Sequence, residues 1–416
     1  MLEYARRSCF FQNDRSPAKG RISPAVRDDI SCRETNLVLQ ALRAWFSGKP
    51  KCLESALAEP VDWTGLERIA EHHSVLPLVA YALTRYGGDL VPHEICGQLR
   101  QRLLLASHRN LTLIDEWWRI LQAFDEAEIP VISLKGPALA LLVYPNFAFR
   151  EFTDLDLLVS PEEVPKARDL LVRNGYRPSS SLVADTDEML FRSRNFQLDL
   201  VHCEKRICVD LHWGALHEMF SFQLPVDLLF KAARIEHYEG ISFLALSPEH
   251  LLLYLCAHGT KHCWRSLRWL CDIACHVQRS SDLNWRSCIR CAETSNCELV
   301  LKHSLLLAQQ ILGLDLPPEM ASYCEAAKVS ALIATASSFL FCEDEDLSYG
   351  QTMRFHLVFA RNWRDRAAMI FERIFVPAES DWQQLRLPRP LHFLYYMIRP
   401  IRFMRERIRL VAGRTV

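Results

Sequence analysis

The sequence predicts an α+β fold, a small mixed β-sheet flanked by an N-terminal and a C-terminal helical region. Three observations carry that expectation. Between residues 129 and 246, short apolar runs recur with polar turns between them, the signature of strands. On either side of that stretch the apolar residues recur every three to four positions, as on amphipathic helices. The later junction is marked by Ser247-Pro248-Glu249, an N-cap residue followed by proline at the first helical position.

Taken in order, residues 1–33 carry Arg6, Arg7, Arg15, Lys19, Arg21 and Arg27 without a continuous apolar run. This predicts a disordered N-terminus and no secretory leader. Residues 34–128 form the N-terminal helical region, with Ile114, Trp117, Trp118, Leu121 and Phe124 at helical spacing and a second amphipathic stretch from Glu67 to Leu83. His72 and His73 are neighbours there, and a helix turns adjacent side chains about 100° apart, so they read as surface or capping residues rather than a metal pair.

The core, residues 129–246, opens with Val131-Ile132-Ser133-Leu134, a buried strand that stops at Lys135-Gly136. An apolar helix follows from Pro137 to Val143, and Thr153 to Val159 is a second strand. Side chains alternate along a strand, so Asp154 and Asp156 share one face, about 7 Å apart along the backbone. Two carboxylates on an otherwise apolar strand repel unless a cation lies between them, and a hard divalent ion such as Mg2+ takes such oxygen ligands together with substrate phosphates. Ser160-Pro161-Glu162-Glu163 starts a helix whose buried face is Val164, Ala167, Leu170 and Leu171 and which Asn174-Gly175 ends. Residues 195–212 read as two β runs joined at Glu204-Lys205-Arg206, with Asp210 in the second run and Asp199, a competitor for the third carboxylate, in the first. A last hairpin spans 234–246 around Glu239-Gly240.

Residues 247–380 form a C-terminal helical domain. A continuous helix from Glu249 to Asp272 would align His258, His262, Arg265, Trp269 and Asp272 in one polar stripe, opposite Leu252, Cys256, Leu267 and Leu270. That stripe is either a solvated face or a basic wall suited to a triphosphate, and Gly259 is the position at which the helix would break. The tail, residues 381–416, carries eight arginines and a single glutamate from Arg386 onward, interleaved with Phe393, Tyr396, Met397, Ile401 and Met404. Docking on its own domain with arginines reaching outward is favoured over peripheral contact with an anionic membrane.

A formal net charge of −1 does not single out nucleic acid as a partner, and no apolar run approaches the length of a membrane helix. Fifteen cysteines scattered on helical faces suit reduced thiols and a cytoplasmic location. Cys271 and Cys275, and Cys288, Cys291 and Cys297, read as buried apolar residues rather than a zinc site.

Lys135-Gly136 after a strand, Tyr144-Pro145, Arg150, the Thr153–Val159 strand with Asp154 and Asp156, Asn174-Gly175-Tyr176 and the run Val209-Asp210-Leu211-His212-Trp213 occur in that order. Together they resemble the polymerase-β-like nucleotidyltransferase superfamily, and in wording its bacterial, uncharacterised nucleotidyltransferase family. The resemblance implies a nucleotidyltransferase-like core that moves a nucleoside monophosphate from an NTP to a hydroxyl acceptor by a two-metal in-line displacement, releasing pyrophosphate. It implies two Mg2+ ions on Asp154, Asp156 and Asp210, with Lys135, Gly136 and Arg150 on the phosphates. His258, His262, Arg265 and Trp269 would supply the opposite wall of the nucleotide cleft. One departure stands out: where the superfamily places serine after the glycine, this chain has Pro137, which offers a phosphate no N–H. The alternative is therefore a module that keeps the fold and binds nucleotide or a partner without catalysis, antitoxin-like or regulatory. The acceptor, whether protein, sugar or small molecule, is not written in these motifs, nor is an oligomeric state.

Overall fold

The computed structural model describes residues 24–179, 196–216, 220–280, 282–325, 329–342, 347–377, 381, 385 and 387–412. The strands of the core join in one mixed sheet: β1 (Ile132–Ser133), β2 (Asp154–Leu158), β3 (Tyr176–Pro178), β4 (Gln197–His202), β5 (Cys208–His212), β6 (Arg234–Tyr238) and β7 (Ile241–Ala245). Their order across the sheet is β3-β4-β5-β2-β1-β7-β6. β2 runs parallel to β5 and β1 parallel to β7, while the other neighbours are antiparallel. The β6–β7 turn is a two-residue hairpin in which Glu239 and Gly240 both take positive φ, as the sheet's twist requires of such a connection.

Helices lie on both sides of this sheet in the chain, as the α+β expectation requires. Before it come α1 (Pro24–Ser47), α2 (Lys51–Leu57), α3 (Trp63–His72), α4 (Leu76–Tyr86) and the long α5 (His93–Glu126). Within it are α6 (Pro137–Val143), α7 (Val164–Arg173) and α8 (Val226–Ala232). After it come α9 (Pro248–Lys261), α10 (Leu267–Arg279), α11 (Trp285–Thr294), α12 (Glu298–Leu312), α13 (Pro318–Glu325), α14 (Ser330–Leu340), α15 (Tyr349–Val358), α16 (Trp363–Phe375) and α17 (Tyr395–Ala412). Helix α1 begins ahead of residue 34, inside the stretch expected to be disordered; residues 1–23 lie outside the described residues. Helix α7 also starts later than Ser160 suggested. Ser160 makes no capping bond, Pro161–Glu163 form a 3-10 turn, and the α-helix begins at Val164.

Strand alternation sorts the sheet's side chains between two cores. Leu155, Leu157, Val209 and Leu211 pack with Trp117, Ile120 and Phe124 of α5 and with Val164, Ala167 and Leu171 of α7. The Trp117 indole N–H donates to Ser133 Oγ at 3.0 Å and pins α5 to β1. Ile132, Leu134 and Leu158 point the other way and merge with the C-terminal helices, including Leu252, Leu255, Leu270 and Leu301. The second face is the one that carries Asp154 and Asp156, so the sequence-distant helices α9 and α10 cover the carboxylates.

Candidate active site

The site is built on adjacent strands. In the parallel β2–β5 pair, Asp156 stands opposite Asp210, and in the antiparallel β4–β5 pair Asp210 stands opposite Asp199. The period-two rule then puts Asp154, Asp156, Asp210, His212 and Asp199 on one face. Asp156, Asp210 and His212 offer ligand atoms that all lie within 4.8 Å of one another. His212 Nε2 is 3.1 Å from Asp156 Oδ1. The Lys135 ammonium lies 2.7 Å from Asp156 Oδ1 and 3.7 Å from Asp154 Oδ2. Asp154 therefore joins the cluster through Lys135, outside the tight trio.

Lys135 reaches this position because the chain turns sharply at Gly136, which has φ +65° and ψ −126°. A Cβ there would sit 3.0 Å from the Asp154 carbonyl oxygen. Glycine is required for both reasons: the conformation is closed to L side chains, and the backbone passes tightly against β2. Pro137 then takes the first position of α6, where its missing N–H costs no helical hydrogen bond.

The charges are unequal. Burial pushes the Asp156 carboxyl up, but the Lys135 ammonium and the His212 hydrogen bond more than offset it and hold Asp156 ionised. For Asp210 the Lys135 charge is the weaker influence; burial, and then the carboxylates of Asp156, Asp199 and Asp154, push it well above the usual range. Asp156 Oδ2 is buried and makes no hydrogen bond. A dense oxygen-rich donor set with an orphaned carboxylate oxygen fits a hard divalent cation, for which Asp156 and Asp210 are the natural ligands. His212 is placed to orient Asp156 or to join as a nitrogen ligand.

Facing this row are α9 and the start of α10. Burial and then the Lys135 ammonium lower the pKa of Lys261 against the opposing pull of Asp156, Asp210 and Asp199, so its side chain lies within electrostatic reach of the carboxylate row. Burial lowers His258 and His262 well below the ordinary histidine value, reinforced for His258 by the His262 ring and for both by Lys135, Lys261 and Arg268, so both rings are neutral at pH 7. The His258 and His262 rings are 4.6 Å apart, and Trp269 stacks on His262 at 5.1 Å. Tyr254, one turn before His258, is buried and within electrostatic reach of Lys135 and Asp156.

The expected single helix from Glu249 to Asp272 is two helices. Gly259 does not interrupt α9: a Cβ there would lie 2.4 Å from the Trp264 ring, so glycine makes room for that indole. The break comes at residues 262–266, where Cys263 and Trp264 take positive φ and Ser266 caps α10. This reversal redistributes the predicted stripe. His258, His262 and Trp269 come together. The Arg265 backbone meets the buried His73 at the end of α3, and the arginine whose charge the two histidines feel is Arg268. His73 itself is buried, caps α3, and its carbonyl accepts from Ser266 Oγ at 2.7 Å; it is not a surface residue. Asp272 leaves the stripe altogether.

Arg150, expected on the phosphates, is buried in a two-point pair with Asp272, Nε to Oδ1 at 2.8 Å and Nη2 to Oδ2 at 3.1 Å. The Tyr144 hydroxyl donates to the same Asp272 Oδ1 at 2.7 Å. These three residues tie α10 to the chain entering β2, and the guanidinium's fork is spent on that task. From the sequence, Lys261 and Arg268 stood only as residues flanking the polar stripe, and His212 was not counted among the site residues. For His212 the signal was present, because it lies two positions after Asp210 on the same strand face.

No curated protein and no solved structure matches the chain. A family model does, over residues 59–313, which takes in the sheet, the carboxylate row and helices α9 to α12. With its aspartate-bearing parallel strand pair and the lysine-glycine turn before them, the chain belongs to the family described as uncharacterised nucleotidyltransferases.

Proposed function

We propose that this protein transfers a nucleoside monophosphate from an NTP to a hydroxyl acceptor, with Mg2+ held by Asp156 and Asp210 and with Asp154 beside them. The observation that supports the reading best is the orphaned Asp156 Oδ2 within a carboxylate row that faces Lys261, His258 and His262. When bound, the metal would supply Lewis-acid stabilisation of phosphate charge and a more acidic acceptor hydroxyl. The chain's own residues do the rest. Lys135 and Lys261 supply positive charge on two sides of the cleft for the phosphates. His212 holds Asp156 in place through its Oδ1. Asp210, whose carboxyl gains most from an added positive charge, is the group placed to take the acceptor proton. Trp269 and His262 present an aromatic surface on which a base can stack for roughly 1–3 kcal/mol.

A titration of Mn2+ as a paramagnetic probe, with and without ATP, tests the metal-binding half of this reading. The parent should bind Mn2+ and hold ATP more tightly in its presence, and Asp156→Asn should lose both. Metal-independent ATP binding that Asp156→Asn leaves intact would contradict it. That result would favour the second reading, a nucleotide-binding module without catalysis, for which the Lys135 ammonium seated on Asp156 and the absence of an N–H at Pro137 speak.

A further inference from the structure

Helices α13 to α17 lie beyond the family match and pose a separate question. Residues 347–416 contain thirteen arginines, no lysine and five carboxylates, a formal +8; since the whole chain carries −1, residues 1–346 carry −9. This segregation coincides with an unusual surface. Of the nineteen large apolar side chains exposed among the described residues, twelve lie at or after Val358. On α16, Trp363, Ile370 and Phe371 fall at i, i+7 and i+8, one helix face, and all stand in solvent. Leading into and along α17, Phe393, Met397 and Ile401 repeat every four residues and are each more than half exposed. α16 and α17 pack on each other, so their two stripes belong to one hairpin.

The hairpin is held from its other side. Asp381 is fully buried and pairs with Arg399 and Arg402; the Tyr349 and Phe403 rings meet edge to face at 5.2 Å. The expectation of arginines pointing outward from a docked tail is thus reversed at these two positions: the arginines anchor the helix and the apolar side chains face out. Arg364, Arg366 and Arg405 are exposed around the apolar stripe. Among the described residues no helix is long and apolar enough to cross a membrane.

We propose that the α16–α17 hairpin is a docking surface for an anionic phospholipid bilayer. Its apolar stripe would sit at the boundary of headgroups and acyl chains, and its arginines on lipid phosphates. The charge selects this occupant over a second copy of the chain, because a two-fold contact through this face would set arginine-rich surface against arginine-rich surface. A bilayer supplies both what the stripe lacks, an apolar medium, and what the rim lacks, negative charge.

The test is flotation of the full chain with vesicles of phosphatidylcholine alone and of phosphatidylcholine with phosphatidylglycerol, at low and high salt. The chain should float with the phosphatidylglycerol vesicles, and the affinity should fall as salt rises. The double variant Phe371→Glu/Met397→Glu should weaken binding by at least about tenfold, from lost apolar burial. Arg364→Glu/Arg405→Glu should cost roughly fivefold or more per arginine. All four positions are exposed, and an unchanged circular dichroism spectrum checks that the variants fold. Failure of the unaltered chain to float with anionic vesicles overturns the proposal without recourse to any variant. Equal binding by parent and variants overturns it too. So does a dimer in light scattering that the apolar substitutions dissociate, or binding of single-stranded RNA in place of vesicles.

Discussion

Asp156 and Asp210 are neighbours across a parallel strand pair, yet they live in different fields: one beside an ammonium, the other beside three carboxylates. Removing the charge of Asp210 therefore relieves repulsion. Asp210→Asn should leave the melting temperature of the metal-free protein unchanged or raise it while weakening Mn2+ binding, and a clear loss of stability in thermal denaturation would show that Asp210 pairs with a cation instead. The opposite behaviour belongs to Asp272. It accepts from both Arg150 and Tyr144 in the interior, so Asp272→Ala should cost about 3–5 kcal/mol in denaturant unfolding, the penalty for orphaning a buried partner. The two cases differ in what the sequence reveals. Asp154 and Asp156 were legible because strand periodicity announces a shared face, while Asp210 was reached through the family resemblance, with Asp199 as its competitor. The role of Arg150 was not, because its partner lies 122 residues away and only the packing of α10 brings them together.

At the scale of elements, the β1–α6 turn and the α9–α10 turn show why glycine is an uneven guide. Gly136 occupies a conformation that L residues avoid, and the alternation of strand, lysine and glycine made the turn readable. Gly136→Ala should destabilise by more than about 1 kcal/mol and perturb Mn2+ binding by moving Lys135, which denaturation and titration together would reveal. The reversal at Cys263 and Trp264 carries no such mark, since neither residue is glycine and the real glycine, Gly259, serves packing. The C-terminal helices also bury histidines. Burial lowers His303 and His356 from about 6.5 to about 4, and His73 to about 3. Unfolded, each takes up a proton near pH 6.5; folded, none does until the pH is far lower. The stability these neutral rings contribute is thus complete above pH 6.5 and drains away as the pH falls toward 4. Melting curves across that window should show the decline, and His303→Leu, in a pocket formed with Trp264, Phe355 and Phe359, should flatten it.

Across the whole molecule, one sheet separates two cores, and the division explains what could be read in advance. The sheet region, its flanking helical regions and the carboxylate row follow from local periodicity. The polar stripe of His258, His262, Arg265 and Trp269 was also legible as an opposite wall, but the place of Arg268 beside the two histidines was not, because the helical phase is reset between α9 and α10. Nucleotide transfer in this cleft is the activity proposed for the molecule. It is tested most directly by incubating the chain with each of the four NTPs, labelled at the α-phosphate, with Mg2+ and a cell extract as a mixture of acceptors. Label from at least one NTP should become attached to an acceptor as pyrophosphate is released, and Asp156→Asn and Asp210→Asn should each abolish the transfer while remaining folded. Nucleotide bound but never transferred by the parent, or transfer that survives both substitutions, would contradict it.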